Sequence, residues 1–224
     1  PAVRASISSH EPDRRTHGRV EEIEARLPRK FRWELRTRPK VFAGWGVWGQ
    51  GVVRGTEVAG CLAEVAELER TSAKASRGYA FFQDRKNYDF FRHLLADPTF
   101  PAEPMLFTLR VDGALIAYVL GFVHRGVLSV YNIAFRPGFE KGSPGKWLWH
   151  QAMRWAHERG LAEFDFLRGA SEMKARWRPD ERRNLRLMIF RPGVIPGSLH
   201  LATFHVRPAL QRAAARWAGR RHGG

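Results

Sequence analysis

The spacing of apolar positions changes several times between residues 127 and 169, and the changes predict four consecutive elements. The segment begins with VLSVYNIAF, a short run rich in β-branched and aromatic residues that is typical of a buried strand. A turn-rich stretch, RPGFEKGSPGK, leads into WLWHQAMRWAHERG, whose apolar residues recur at the 3.6-residue period of an amphipathic helix. The last piece, LAEFDFLRG, is again typical of a strand. We therefore predict a βαβ unit with a glycine-rich loop at the helix N-terminus, where N–H groups and the helix dipole attract phosphate.

Period-2 patterns just before this unit predict an antiparallel meander. Three strands are expected, Leu106–Val111, Ala114–Val123 and Val127–Phe135. Asp112-Gly113 is a strong two-residue hairpin signal, and Arg125-Gly126 is a weaker one. Because crossovers are right-handed, residues 162–167 should lie parallel to the third strand. The predicted fold class is α/β, a mixed sheet built from a meander and a βαβ crossover, with helices on both faces.

The first hundred residues have a more helical pattern. Residues 1–18 are polar, and we expect them to be poorly ordered. A helical pattern then runs from Arg19, and Pro28 either breaks it or opens a second helix; its apolar positions are Ile23, Leu27, Phe31 and Leu35. Residues 41–54 contain two tryptophans among four glycines and are read as an edge strand flanked by turns.

Two further helices are predicted before the meander. Thr56 is the expected N-cap of the first, whose inner face is formed by Val58, Leu62, Val65, Ala66 and Leu68. Residues 72–82 follow as a loop that we expect to close over a site. The next helix covers Asn87–Leu95, with four residues facing inward, Phe90, Phe91, Leu94 and Leu95.

The chain after the βαβ unit is predicted to hold a helical turn, a strand and a basic helix. The turn carries Met173, Lys174 and Trp177, the strand is Leu185–Phe190, and the amphipathic helix spans residues 200–222. The expected domain organisation has three parts. Residues 1–104 form a helical extension or the first part of the domain, residues 105–200 the core that contains the meander and the βαβ unit, and residues 201–224 a basic C-terminal helix or tail.

The net charge of +16 indicates either a solvated basic surface or a partner that carries phosphates. We favour the basic surface, because no nucleic-acid-binding motif accompanies the arginines. No apolar run reaches the ~20 residues that a membrane helix needs, and no signal peptide is recognisable, so a cytoplasmic location is expected. The single cysteine, Cys61, excludes an intrachain disulfide. The nine histidines lack the spacing of a metal site, and no Ser/His/Asp order is present, so no metal is expected.

Three groups of residues resemble the GNAT acyltransferase superfamily over about residues 105–190. These are Ser143-Pro144-Gly145 at the start of the apolar helix, the run FDFLRG at 164–169, and Lys174 with Trp177. Within the superfamily the chain looks like the branch associated with cellulose biosynthesis, which is similar to the Fem-type aminoacyl transferases. The resemblance implies acyl-CoA as co-substrate and a small amine or sugar-amine as acceptor.

The resemblance also implies where acyl-CoA binds. Backbone N–H groups at Ser143, Gly145 and Lys146 are expected to hold the pyrophosphate, whereas the alternative is an ordinary strand-to-helix turn. In GNAT folds the preceding strand bulges and parts from the next parallel strand, and pantetheine fills the gap. The residues implied there are Ile133, Ala134 and Phe135, with a free N–H near Ile133 or Ala134 that stabilises the oxyanion.

Asp165, Glu172 and Lys174 are the candidate catalytic side chains. A carboxylate between two phenylalanines is costly unless it is paired, so Asp165 either accepts a proton from the amine or holds Arg168 or Lys174. We favour the structural role slightly. Glu172 and Lys174 match the family motif, which implies that Lys174 contacts the acyl or acceptor group. The alternative is that Lys174 is a surface lysine beside a core tryptophan. Met173 stands where the branch usually has tyrosine, which leaves the proton donor to the leaving thiolate open.

The sequence thus favours an N-acyltransferase that moves an acyl group from acyl-CoA to an amine. One alternative is a Fem-type transferase that uses aminoacyl-tRNA, in which case the basic surface binds RNA. The other is a catalytically inactive GNAT-fold module in exopolysaccharide or cell-envelope assembly, because fold does not fix function.

Overall fold

The computed structural model describes the side chains of residues 25–167, 172–177 and 206, and the backbone alone of residues 4–18, 168 and 180–190. The chain divides into two compact units. One comprises residues 14–182, and the other comprises residues 1–13 together with residues 183–224. All the side chains discussed below belong to the unit of residues 14–182.

The described part of the chain contains both helices and strands. In chain order they are β1 (Arg4–Gly18), α1 (Arg29–Ala43), β2 (Trp48–Arg54), α2 (Val58–Thr71), the one-turn α3 (Ala73–Ser76), α4 (Arg85–Ala96), β3 (Glu103–Val111), β4 (Ala114–His124), β5 (Val127–Phe135), α5 (Pro144–Glu158), β6 (Glu163–Arg168), the one-turn α6 (Glu172–Ala175) and β7 (Asp180–Phe190). Single 3-10 turns lie at Gly55–Glu57, Phe81–Gln83 and Glu140–Gly142.

Strands β2 to β6 lie side by side in the order 2-3-4-5-6 and form a mixed sheet. The pairs from β2 to β5 are antiparallel, and β5 and β6 are parallel. The two hairpin turns, Asp112-Gly113 and Arg125-Gly126, have positive φ at both central residues. A two-residue turn in this conformation matches the right-handed twist of the strands that it joins. The predicted meander, the parallel crossover and the α/β class are confirmed.

Each face of the sheet is covered by its own helices. Strand β4 shows this most clearly, because its buried residues alternate between two apolar clusters. Ala117 and Val119 belong to the cluster that includes α1 and α5 residues, whereas Tyr118 and Leu120 belong to the cluster of α2 and α4. The strand is therefore buried on both faces, which explains why its sequence is almost continuously apolar.

The N-terminal region differs from the prediction. Residues 4–18 form a strand rather than a poorly ordered segment, and its end, Arg15–Gly18, pairs antiparallel with β6. The partner of this end lies some 150 residues away along the chain, and local sequence carries no sign of it. Pro28 precedes the first residue of α1 and therefore opens a helix, as one of the two alternatives for it predicted. Strand β2 is an edge strand, as predicted, although it begins only at Trp48.

Two details of the predicted helices are wrong. Thr56 lies inside a 3-10 turn, and α2 begins after Glu57 without a side-chain cap. Phe90 is 60% exposed, because α4 turns Phe91 and Leu95 toward the sheet and leaves Phe90 at the side. The predicted helix at residues 200–222 lies outside the described residues, and the predicted strand at Leu185–Phe190 falls within the longer β7.

Strand β5 contains an irregularity that positions the candidate site. Leu120 of β4 pairs with Asn132 and Gly121 pairs with Val130, so Tyr131 has no partner and forms a bulge. On its other side β5 pairs with β6 only from Val127 to Ser129. Beyond Ser129 the two parallel strands part, as the family resemblance implied.

Gly121 allows the close approach of β4 and β5 at the bulge. A Cβ at this position would lie 2.8 Å from the carbonyl oxygen of Ser129, which belongs to the backbone and cannot rotate away. We predict that Gly121→Ala lowers the free energy of unfolding by about 1–3 kcal/mol, as overpacking does. The measurement is urea unfolding followed by circular dichroism.

Gly49→Ala is the matched control. Gly49 lies on the edge strand β2, and nothing lies within 4 Å of a Cβ built there. Alanine should leave stability unchanged or raise it by about 0.5–1 kcal/mol. Equal effects of the two substitutions would show that the bulge does not need the glycine.

Candidate active site

A pocket of about 630 Å³ lies where the end of β5 faces the start of α5. One wall comes from β5 and the loop that leads into α5, and another comes from α3 and its flanks. The lining residues are Ser72, Ala73, Lys74, Arg77, Tyr79, Ile133, Ala134, Phe135, Glu140, Ser143, Gly145, Lys146 and Met173. They include all six residues expected to bind the co-substrate and part of the loop expected to close over a site. Their roles stay predictions.

The start of α5 carries backbone donors that face no acceptor within the helix. Ser143 adopts a left-handed conformation, and its N–H donates to the Glu140 carbonyl oxygen (2.8 Å). Pro144, the first helical residue, has no N–H. N–H groups in the first turn of a helix have no acceptor within the helix. Of the three amides predicted to bind an anion, Ser143, Gly145 and Lys146, that of Ser143 is already bonded, so those of Gly145 and Lys146 are the candidates.

Gly145 also sets the distance between α5 and β5. A Cβ there would lie 2.9 Å from Cδ1 of Ile133 and 3.8 Å from Cδ1 of Phe135. The helix start therefore lies directly against the part of β5 that has separated from β6. A side chain at this position would have to displace Ile133 or enter the pocket.

Positive charge surrounds the helix start. Burial lowers the pKa of Lys146, and the nearby Arg176 and Arg38 lower it further, against the opposing effect of Glu34. Arg38 is held in place because its Nη1 donates to the Lys141 carbonyl oxygen (2.9 Å). Such a field favours an anion at the amides of the first turn.

A buried carboxylate that the sequence analysis missed lies behind the opposite wall. Glu69 of α2 is 0% exposed, and its two oxygens accept hydrogen bonds from three different elements. Oε2 accepts from the N–H of Phe82 (2.7 Å), and Oε1 accepts from Nδ2 of Asn132 (3.0 Å) and from the hydroxyl of Tyr118 (3.4 Å). Burial, and next the negative charge of Glu69, raise the pKa of Tyr118 well above its ordinary value, which keeps the hydroxyl protonated as a donor.

Lys74 and Asn132 connect this carboxylate to the pocket. Nζ of Lys74 lies 3.7 Å from Oε1 of Glu69 and donates to Oδ1 of Asn132. The same Oδ1 accepts the N–H of Ile133 (2.9 Å).

The N–H of Ile133, one of the two expected to be free for an oxyanion, therefore already has an acceptor. The N–H of Ala134 points toward β4, because Ala134 pairs with Tyr118 in the same register in which Arg136 donates to the Ile116 carbonyl oxygen. Of the two amides, that of Ile133 is the one that faces away from β4.

Sequence signals for both residues exist, although they are weak. Glu69 is four residues after Val65 and therefore falls on the apolar stripe of α2, where a carboxylate is out of place. Asn132 interrupts the apolar run of β5 in the same way. The bulge places the side chains of Tyr131 and Asn132 on the same face of the sheet, toward α2 and α4, and a strict period of two cannot predict this.

The three predicted catalytic side chains are not among the residues that line the pocket. Asp165 is 3% exposed, and its Oδ1 accepts the N–H of Leu167 (2.7 Å), whose φ is +58°. Lys174 donates to the Leu167 carbonyl oxygen (3.3 Å). Burial lowers the pKa of Lys174, and attraction to Asp165 opposes this. Glu172 is exposed at the start of α6.

Among the described residues, no cluster of His, Cys, Asp and Glu has the arrangement of a metal site. A search of the same part of the chain finds no helix long and apolar enough to span a bilayer.

Comparison with protein families gives one match, to a model described as an acetyltransferase (GNAT) domain, over residues 29–175. The chain belongs to the GNAT acetyltransferase family. The matched residues include the whole lining of the pocket and the buried Glu69. A search of curated proteins finds no match to the chain.

Solved structures of several longer chains have a similar fold. FemX superposes with a TM-score of 0.62 at 12% identity, over 91% of this chain and 68% of FemX. The C-terminal (DUF2156) domain of a lysylphosphatidylglycerol synthetase candidate from Agrobacterium fabrum gives 0.56 at 15% identity, over 90% of this chain and 66% of that one. L-PGS from Bacillus licheniformis gives 0.51 at 13% identity, over 90% and 66%. This GNAT chain thus spans just under two thirds of the two synthetase chains, and such low identities show a shared fold alone.

We predict that Asp165→Asn lowers the free energy of unfolding. The amide oxygen of asparagine still accepts the N–H of Leu167, but the attraction to Lys174 is lost. Leaving a fully buried charge without its partner costs about 3–5 kcal/mol, and the half-buried Lys174 should cost less. Urea unfolding measures the change.

A double-mutant cycle with Lys174→Met tests the pairing. If Asp165 and Lys174 stabilise one another, the double variant should be more stable than the sum of the two single effects predicts. Additive effects would show that the carboxylate stabilises the turn at Leu167 independently of the lysine.

Proposed function

We propose that this protein is an N-acyltransferase that transfers the acyl group of acyl-CoA to an amine. The observation that supports this most directly is the pocket, in which the separated end of β5 and the start of α5 face each other. An extended thioester along β5 and a pyrophosphate at a helix start would both be accommodated by this arrangement. The family match over residues 29–175 supports the same reaction class.

The proposed donor site uses the first turn of α5 and the end of β5. The pyrophosphate would accept the amides of Gly145 and Lys146, and the field of Lys146, Arg176 and Arg38 would stabilise its charge. The chain beyond it would lie against Ile133, Ala134 and Phe135. The thioester carbonyl would then accept the N–H of Ile133 in place of Oδ1 of Asn132, since the N–H of Ala134 points toward β4.

The chemistry needs mainly positioning and a polar environment for the oxyanion. The neutral amine attacks the thioester carbon, a C–N bond forms, and the C–S bond breaks. We assign Asp165 and Lys174 to the support of β6 and α6, since neither lines the pocket. The exposed Glu172 or solvent water would then take the proton from the amine.

A Fem-type reaction with aminoacyl-tRNA is the second candidate. The fold similarity to FemX and the net charge of +16 are the observations that favour it. The acceptor, a small amine or a sugar-amine, stays a prediction, as do the cellulose-biosynthesis branch and a cytoplasmic location.

A thermal-shift screen separates the two candidates. CoA, acetyl-CoA and longer acyl-CoAs at saturating concentration should each raise the melting temperature, because a ligand that binds only the folded state stabilises it. A Fem-type enzyme should instead bind tRNA, with an affinity that falls steeply as salt rises. A chain stabilised by tRNA and by no CoA derivative would contradict the acyl-CoA proposal.

We predict that Gly145→Asp abolishes CoA binding. The new carboxylate would stand at the start of α5, occupy the proposed anion site and repel the pyrophosphate. Isothermal titration calorimetry should show at least about a 100-fold loss of affinity, since several hydrogen bonds to a charged group are removed together.

Gly145→Asn is the control, because it has the same size without the charge. Both side chains have to displace Ile133, so any purely steric effect appears equally in the two variants. Asparagine should therefore retain clearly more affinity than aspartate. If the wild type and Gly145→Asp bound CoA with equal affinity, the start of α5 would not be the pyrophosphate site.

A further inference from the structure

Two features of the pocket raise the question of how the leaving thiolate is protonated. Met173 lines the pocket at the position where the resemblance led us to expect a tyrosine acid, and a thioether carries no transferable proton. Lys74 also lines the pocket, and its side chain is 34% exposed although its ammonium contacts a fully buried carboxylate. Lys74 therefore connects the pocket to the buried polar network of Glu69 and Asn132.

We propose that Lys74 is a catalytic residue, the general acid that protonates the sulfur of CoA as the C–S bond breaks. This inference rests on the acyl transfer proposed above. It adds a residue from the α3 side of the pocket to a donor site otherwise formed by β5 and α5.

The geometry brings the ammonium close to the proposed reaction centre. Nζ of Lys74 and the backbone nitrogen of Ile133 both bind Oδ1 of Asn132, so the two nitrogens lie within about 6 Å, twice the length of a hydrogen bond. The thioester carbonyl is proposed to lie at this amide of Ile133. A sulfur bonded to that carbon is therefore within reach of Lys74.

The network leaves the ammonium able to donate a further hydrogen bond. An ammonium carries three N–H groups, of which one is directed to Asn132 and another toward Glu69. The pocket-facing exposure of the side chain gives a ligand access to the third. Asn132 is itself fixed by its bond to Glu69, so the position of Lys74 is set by two side chains that do not depend on the ligand.

The electrostatic balance suits a proton donor. Burial lowers the pKa of Lys74 from that of an ordinary lysine, and the attraction of Glu69 opposes this. The hydroxyl of Tyr118 binds the same oxygen of Glu69, and the charged groups Arg77, Glu140 and Lys146 line the same pocket as Lys74. An acid whose pKa has moved toward neutrality transfers its proton more readily than an ordinary lysine does.

Atoms and charges balance over one turnover. The C–N bond forms and the C–S bond breaks, and one proton passes from Nζ of Lys74 to the sulfur, which leaves as the thiol. The amine nitrogen loses one proton to solvent, and the neutral Lys74 recovers one proton from solvent. No oxidant, metal or further reactant is needed.

The test compares Lys74→Met and Lys74→Arg with two acyl donors that differ in their leaving group. One donor is an acyl thioester of N-acetylcysteamine, an alkyl thiol, and the other is the matching thioester of 4-nitrothiophenol, whose thiolate is a weak base. Methionine keeps the length of the side chain without a proton. Arginine keeps the positive charge, but guanidinium does not give up its proton in proteins.

We expect both variants to lose at least about 100-fold in kcat with acetyl-CoA and with the alkyl thioester, the range of a general acid. With the aryl thioester they should stay within a few-fold of the wild type, since that thiolate leaves without protonation. Lys86→Met, which removes an exposed lysine on α4 that does not line the pocket, should match the wild type with every donor.

Several results would overturn the inference. If Lys74→Arg transfers acyl groups as the wild type does, the role of Lys74 is its charge and not its proton. If Lys74→Met loses as much with the aryl donor as with the alkyl donor, Lys74 supports the pocket without donating a proton. If the wild type itself neither binds CoA nor transfers an acyl group, the proposed function fails, and the inference fails with it.

Calorimetry with CoA and thermal unfolding on the same preparations control for folding. Lys74→Met strands the buried charge of Glu69, so the double variant Lys74→Met/Glu69→Gln is measured as well. It removes both charges together and should show the same selective loss with alkyl thioesters. Normal turnover of the folded double variant with acetyl-CoA would contradict the role of Lys74.

Discussion

Strand β5 pairs with β4 along its whole length but with β6 over only three residues, and the candidate site depends on this constraint. The bulge at Tyr131 increases the local twist and ends the parallel pairing, so a gap opens between two strands of one sheet. Helix α5 starts beside that gap, and Gly145 brings its first turn against Ile133. One irregularity thus explains the pocket, the position of the helix start and the approach of Asn132 to α2.

The bulge also determines how a buried carboxylate is tolerated. Removing a carboxylate from water costs several kcal/mol even after the protein relaxes, and an ion pair repays this only when further hydrogen bonds are formed. Glu69 has these bonds because β4 supplies Tyr118, the bulged β5 supplies Asn132, and the turn before α4 supplies the N–H of Phe82. The network therefore connects the short segment around Lys74 to the sheet, and it places Lys74 beside a carboxylate at the edge of an apolar core.

Local sequence was sufficient for the parts of the fold that form from neighbouring residues. The hairpins at Asp112-Gly113 and Arg125-Gly126 could be predicted because their turns require positive φ, and α5 because its apolar period spans fifteen residues. The strand at residues 4–18 could not, because its pairing depends on β6. The contact of Glu69 with Asn132 joins residues 63 positions apart and needs a bulge that breaks the period of two. The pattern thus predicted the wall formed by β5 and α5 and the loop opposite it, and missed the contact of Glu69 with Asn132 that holds Lys74.

The two walls of the pocket differ in how they are built. The wall formed by β5 and α5 belongs to the packed sheet and helix layers, whereas the opposite wall is a short segment, Ser72 to Tyr79, with one helical turn. Apart from Lys74, the side chains of this segment can change without disturbing either apolar cluster. In the proposed acyl transfer, such a division would let the short segment vary with the acceptor while the wall formed by β5 and α5 stays constant. Residues 75–79 would then be the part of the pocket to exchange in order to change the acceptor.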